Sequence, residues 1–137
     1  MSNAINAFGT LLKRNGTTVA EVNDITPPSL SRDEIDVTHH QSPNMWREFI
    51  KGLKDAGEFS MSINYIPTNA THNASTGLLA DFANNTTIDT WTLVFPDTSL
   101  TTWSFPGFVK GFSPAAPIDD KLSADVTMKV SGQPTLA

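Results

Sequence analysis

The sequence predicts a mainly β protein: a β-sandwich or small barrel of about seven to eight strands with one flanking α-helix. Three observations carry that expectation. Thr, Ser and Asn number 17, 12 and 10 among the 137 residues, and short hydroxylated or β-branched side chains favour strands and turns over long helices. Several segments alternate apolar and polar residues with a period of two. Only one segment joins a capping residue to a good helical stripe. The length suits one domain: scaling expects a folded surface of about 7,000 Å² against roughly 21,000 Å² unfolded, enough burial for a core without staples.

In chain order, residues 1–12 have weak periodicity and read as an N-terminal arm. Residues 17–25 form a strand closed by Pro27-Pro28, and residues 30–37 a second strand, charged at Arg32, Asp33, Glu34 and Asp36. Residues 38–56 are a long inter-strand insert. There Met45, Trp46, Phe49, Ile50 and Leu53 have the spacing of a helical face, in a short amphipathic helix or a loop that orders on contact. In residues 57–67, Phe59, Met61, Ile63 and Tyr65 alternate with Glu58, Ser60, Ser62 and Asn64, which makes the clearest strand. The helix follows, capped by Asn73 or Ser75, with Leu78, Leu79, Phe82 and Ala83 as its stripe and Asn84-Asn85 as its end. Strands are then expected at 88–95, 100–105, 107–112 and 121–130, the last alternating strictly from Leu122 to Val130.

Composition excludes several kinds of chemistry. Fourteen acidic residues against nine basic leave a net charge of −5, the wrong sign for gripping phosphate over a broad surface. Without Cys there is no disulfide framework, thiolate metal site or cysteine nucleophile. The first nine residues have neither a basic start nor an apolar run, so no signal peptide is expected, and the uncharged stretch 59–80 is too polar to span a bilayer. Adjacent His39 and His40 point to opposite sides of an extended chain and have no third ligand at a useful spacing, and His72 reads as a polar neighbour of the helix cap. Asp119-Asp120 and the group Asp33, Glu34 and Asp36 lack the spacing and glycine turn of a calcium loop and read as a solvated or lumen-type surface. The triplets at Asn15, Asn69, Asn73 and Asn85 follow from the abundance of Asn and Thr. Nucleophile and phosphate-loop motifs are absent, and the aromatic residues of the later strands read as core. No catalytic, cofactor or metal residue is expected, and the chain does not read as an enzyme.

The order of segments is distinctive: Asp24-Ile-Thr-Pro-Pro-Ser-Leu-Ser-Arg-Asp-Glu-Ile-Asp-Val-Thr38, the long insert, and Gly57-Glu-Phe-Ser-Met-Ser-Ile-Asn-Tyr-Ile-Pro67. The helix around Gly77-Leu-Leu-Ala-Asp-Phe82 follows, then Trp91-Thr-Leu-Val-Phe-Pro-Asp97, Trp103-Ser-Phe-Pro-Gly-Phe108 and the closing Pro117 to Pro134. Over residues 17–136 the chain resembles the major tail tube protein of long-tailed, siphovirus-type bacteriophages, a family related in fold to the type VI secretion tube protein. The resemblance implies a single tail-tube domain over 1–137, here without the C-terminal immunoglobulin-like domain of many members. It also implies hexameric rings stacked into a hollow tube that conducts DNA, a tape-measure protein and tail terminator or distal-tail proteins as partners, no membrane, and a virion assembled in the host cytoplasm. A terminator or distal-tail ring, or a type VI-like tube protein, remains an alternative of the same fold. A carbohydrate-binding module would need Trp91 or Trp103 exposed.

The residues add two expectations of their own. If strands 30–37 and 57–67 pair and line the bore, the lumen wall shows Arg32, Glu34, Asp36, Glu58, Ser60, Ser62 and Asn64, a polar and net negative surface past which DNA slides. The insert residues Met45, Trp46, Phe49, Ile50 and Leu53 form an apolar patch that a lone sandwich does not bury, which suits packing on an adjacent ring. The two chain ends, residues 1–12 and 132–137, are expected to order against neighbours as well.

Overall fold

Period-two alternation becomes a curled antiparallel sheet in the computed structural model, which describes residues 2–136. Nine strands are present among them: β1 (Leu11–Arg14), β2 (Thr17–Thr18), β3 (Val22–Thr26), β4 (Ser31–Asp36), β5 (Phe49–Asp55), β6 (Glu58–Asn64), β7 (Asp89–Val94), β8 (Thr102–Ala115) and β9 (Ser123–Val130). One helix, α1 (Leu78–Ala83), joins them. Seven strands form one sheet in the order β2-β1-β7-β8-β9-β6-β3, and β4 and β5 pair apart as a two-stranded sheet. The larger sheet curls until β1 approaches β3, as a strongly twisted sheet with one wet face does.

The inner face is apolar because alternate residues of each strand point inward. Phe59, Met61 and Ile63 of β6 are buried, with Trp91 and Leu93 of β7 and Val126 and Met128 of β9. Phe59 meets Phe105 edge-on at 4.6 Å and Trp91 at 5.4 Å, the arrangement that ring quadrupoles favour. The Trp91 indole N–H donates to the Gly107 carbonyl at 3.1 Å, so its one polar atom is satisfied inside the core.

The structure corrects several sequence expectations. The 17–25 strand is two pieces, broken where Glu21 takes φ +54°, and the N-terminal arm ends earlier than Leu12, which is buried and pairs with Leu93 in the ladder. Met1 and Ala137, the outer ends of the two predicted arms, lie outside the described residues. At the other end Thr135 exchanges two backbone hydrogen bonds with Ser104, so this arm is anchored on its own chain. The segments 100–105 and 107–112 are one strand. Pro106 accepts from Ser131 just past the end of β9, so its missing N–H falls where the ladder has stopped.

The insert 38–56 is neither helix nor loop alone. Its second half is β5, paired with β4 through Glu34↔Lys51, Ile35↔Ile50 and Asp36↔Phe49. Phe49 and Ile50 are neighbours on opposite faces of a strand, and a bulge beside Leu53 completes the misleading helical spacing. On α1, Phe82 and Ala83 are exposed, and the buried face is Leu78 with Asp81. Gly77 is the N-cap and contributes no side chain. Asn73 instead accepts from the Ser75 and Thr76 N–H groups in the preceding turn.

Candidate assembly surfaces

The seven expected lumen residues fall on two separate sheets. β4 does not pair with β6: β4 pairs with β5, while β6 lies between β3 and β9. Sequence parity assigns the faces of each strand, but the partner comes from tertiary pairing, and that is where the expectation failed.

Glu58, Ser60, Ser62 and Asn64 stand on the outer face of β6. Beside them on β9 are Lys129, Thr127, Asp125 and Ser123, and on β3 Thr26 and Asp24 stand opposite Ser60 and Ser62. The result is a broad wall of short hydroxyl side chains. Its two lysines are engaged: Lys110 Nζ bonds Glu58 Oε1, and Lys129 Nζ reaches Asp55 Oδ1 at 3.4 Å. The hydrogen bond and charge of Lys110 hold the Glu58 carboxyl below its ordinary range. The Gly57 N–H and then Lys129 do the same for Asp55. This surface was only half legible, because β3 and β9 join β6 through tertiary contacts.

Arg32, Glu34 and Asp36 occupy one face of the β4–β5 hairpin. Across the strand from them stand Lys54, Lys51 and Phe49. Three basic residues thus face two acidic ones, and the net negative wall does not extend here. Asp36 also pairs with Arg47 at 3.1 Å. Hydrogen bonds from Thr38, then the Arg47 charge, keep the Asp36 carboxyl below its usual range.

The expected apolar patch divides in the same way. Ile50 sits beside Ile35 on one face of the hairpin, and Phe49 lies on the other. Trp46, Met45 and Leu53 are highly exposed, Trp46 at 74%. The tip is tied internally: Ser42 Oγ donates to Glu48 Oε2 at 2.7 Å, and Glu48 N–H donates to Thr38 Oγ1 at 2.9 Å. No residue of β4 or β5 is buried, and an isolated two-stranded hairpin is marginal in water. Phe82, expected in the apolar stripe of α1, and Phe8, in the N-terminal arm expected to order against neighbours, are both exposed on the single chain.

The other chemical candidates resolve locally. Among the described residues no group of three or more His, Asp or Glu is placed to hold a metal. His72 is fully buried and is more than a cap neighbour: its Nδ1 accepts from the Ile66 N–H at 3.1 Å and its Nε2–H donates to the Ala20 carbonyl at 2.7 Å. Trp91 is buried, and Trp103 packs edge-on against Phe95 at 5.4 Å, so neither offers an open platform for a sugar. No described helix is long and apolar enough to cross a membrane.

The family model for lambda phage tail tube protein matches residues 3–137. The chain belongs to the lambda phage tail tube protein family. Membership makes it a structural component of the virion tail. Solved structures share the fold at low identity. The tail of an empty gene transfer agent particle, refined with C6 symmetry, superposes with a TM-score of 0.75 at 17% identity, covering 98% of this chain and 99% of that one. The sheath/tube terminator of the PVC extracellular contractile injection system gives 0.75 at 11% identity, covering 99% and 98%. The tube-terminating cap of the anti-feeding prophage gives 0.73 at 10% identity, covering 100% and 94%. No curated protein sequence is significantly similar to this tail tube family member.

Proposed function

We propose that this chain is the tube subunit itself. Six copies close a ring, rings stack, and the hollow tube conducts DNA into the host. The observation that carries the reading is the β4–β5 hairpin, folded with no core of its own and open on both faces of a single chain. Packing on the next ring would cover it, with Met45, Trp46, Phe49, Ile50 and Leu53 supplying the apolar contact. The C6 symmetry of the gene transfer agent tail supports sixfold closure. We assign the lumen to the β3–β6–β9 face with Glu58, Ser60, Ser62 and Asn64, and Arg32, Glu34 and Asp36 to the hairpin contact. DNA would transit without specific binding, since both lysines of that face are already paired with carboxylates. A tape-measure protein and terminator or distal-tail proteins would be the partners, and the chain would act as one tail-tube unit without catalysis.

A second reading, a terminator ring, draws on the likeness to the terminator and cap structures. Electron microscopy of the purified protein at high concentration, with sedimentation on the same sample, separates the two. Hollow tubes or stacking sixfold rings support the tube subunit. Single rings that never stack support the terminator.

A further inference from the structure

One buried cluster has no part in the surfaces described so far. Asp81 of α1 is 3% exposed and accepts the Val109 N–H at 2.8 Å. That N–H belongs to the bulge in β8, where the ladder leaves it free. The other carboxyl oxygen of Asp81, Oδ1, meets no hydrogen-bond donor. Beside it is the Asp89 carboxyl of β7, which is itself pinned. Arg14 Nε of β1 donates to Asp89 at 2.7 Å, and the Asn15 amide donates to it at 3.0 Å. Arg14 also donates to the Thr76 carbonyl at 2.9 Å in the turn leading to α1. Among the described residues, Lys110 next to Val109 is turned to Glu58, and His72 is committed to Ala20 and Ile66.

Two carboxyls against one guanidinium leave one charge uncompensated in a buried site, and an orphaned buried oxygen beside a carboxylate is satisfied when a proton bridges them. We infer that a single proton shared by Asp81 and Asp89 latches α1 onto β7 and β8, so that the helix docks more firmly in mildly acidic than in neutral solution. α1 is short and buries only Leu78 besides Asp81, so little else holds it. Burial, with the neighbouring Asp89, pushes Asp81 up to about 6. Burial also works against Asp89, yet hydrogen bonds from Asp81, Asn15 and Arg14 keep it below its ordinary value. The sign follows: Asp81 binds its proton more tightly with the helix docked than released, so the docking it supports is lost as pH rises through about 6.

Hydrogen exchange of the full chain, corrected for the intrinsic pH dependence of exchange, reads the latch directly. Protection of the Val109 and α1 amides is expected to fall about tenfold between pH 5 and pH 7 and then level off. In Asp81→Asn the amide oxygen can still accept from Val109 while the amide nitrogen donates to Asp89, so protection should not vary with pH. Equal pH dependence in the two proteins, or none in the wild type, overturns the inference. Carboxyl-carbon NMR titration of the unmodified protein is the second measurement. A step near pH 6 at the pair supports the latch, and titration of both carboxyls below pH 5 overturns it.

Discussion

At Gly107 a Cβ would sit 2.8 Å from the Lys129 carbonyl oxygen, and the Gly107 carbonyl holds the buried Trp91 indole. Gly107→Ala must therefore push β8 away from β9, and is expected to cost about 1–3 kcal/mol in urea unfolding. An unchanged midpoint would show that the two strands part without strain. His72→Phe would fill the same site but orphan the Ile66 N–H and the Ala20 carbonyl, an expected loss of about 2–4 kcal/mol by the same assay. The carboxylates set a pH window. Asp36, Asp55, Glu58, Asp89 and Asp97 all titrate below their ordinary values when folded, so what they contribute is present above about pH 4 and lost as pH falls through that range. Asp81 runs the other way, its contribution complete below about pH 4 and lost as pH rises through about 6. Unfolding measured from pH 3 to 8 should show greatest stability between about pH 4 and 6. A maximum above pH 7 contradicts that assignment.

Among the elements, the β4–β5 hairpin departs furthest from what a single chain needs. Its apolar residues lie on both faces and at the tip, so subunits of the next ring would have to contact it from more than one side to bury them all. Trp46→Ala should leave far-UV circular dichroism and thermal unfolding of the free subunit unchanged, because Trp46 buries little on its own chain. The same variant should fail to form tubes. Loss of the fold, or normal tubes, would remove the hairpin from the assembly role. Gly52 belongs to the same argument, since a Cβ there would lie 2.9 Å from the Asp33 Cβ at the bulge that shapes the hairpin.

For the whole molecule, exposed surface is the deciding quantity. The chain exposes 9302 Å², whereas a self-sufficient domain of this mass exposes about 7,000 Å². Projecting strands and chain ends account for such an excess, and burial between subunits would recover it. The absence of Cys makes the lumen testable by single-cysteine labelling. In assembled tubes, Ser60→Cys is expected to react with a small maleimide and to be shielded from a protein-sized one. Equal reaction with both reagents would put the β6 face on the outside.

Much of this molecule is decided locally, and that part the sequence determined by itself. Period-two alternation at Phe59, Met61 and Ile63 and again from Ala124 to Val130 set the strands and their buried faces, because a pleated chain has only two sides. Net charge and the absence of Cys bounded the chemistry, and the order of segments pointed to the tail tube family. One signal was present and passed over: Asp89 shares the inward parity of Trp91 and Leu93, which marks a buried acid. Tertiary structure alone decided which strands are partners. Pairing β4 with β5 turned an apparent helix into a hairpin and split the expected lumen residues between two sheets. It also brought Arg14, Asp81 and Asp89 together from three elements. The reason is physical: strand parity is a property of neighbouring residues, while partner and register depend on contacts between residues far apart in the chain.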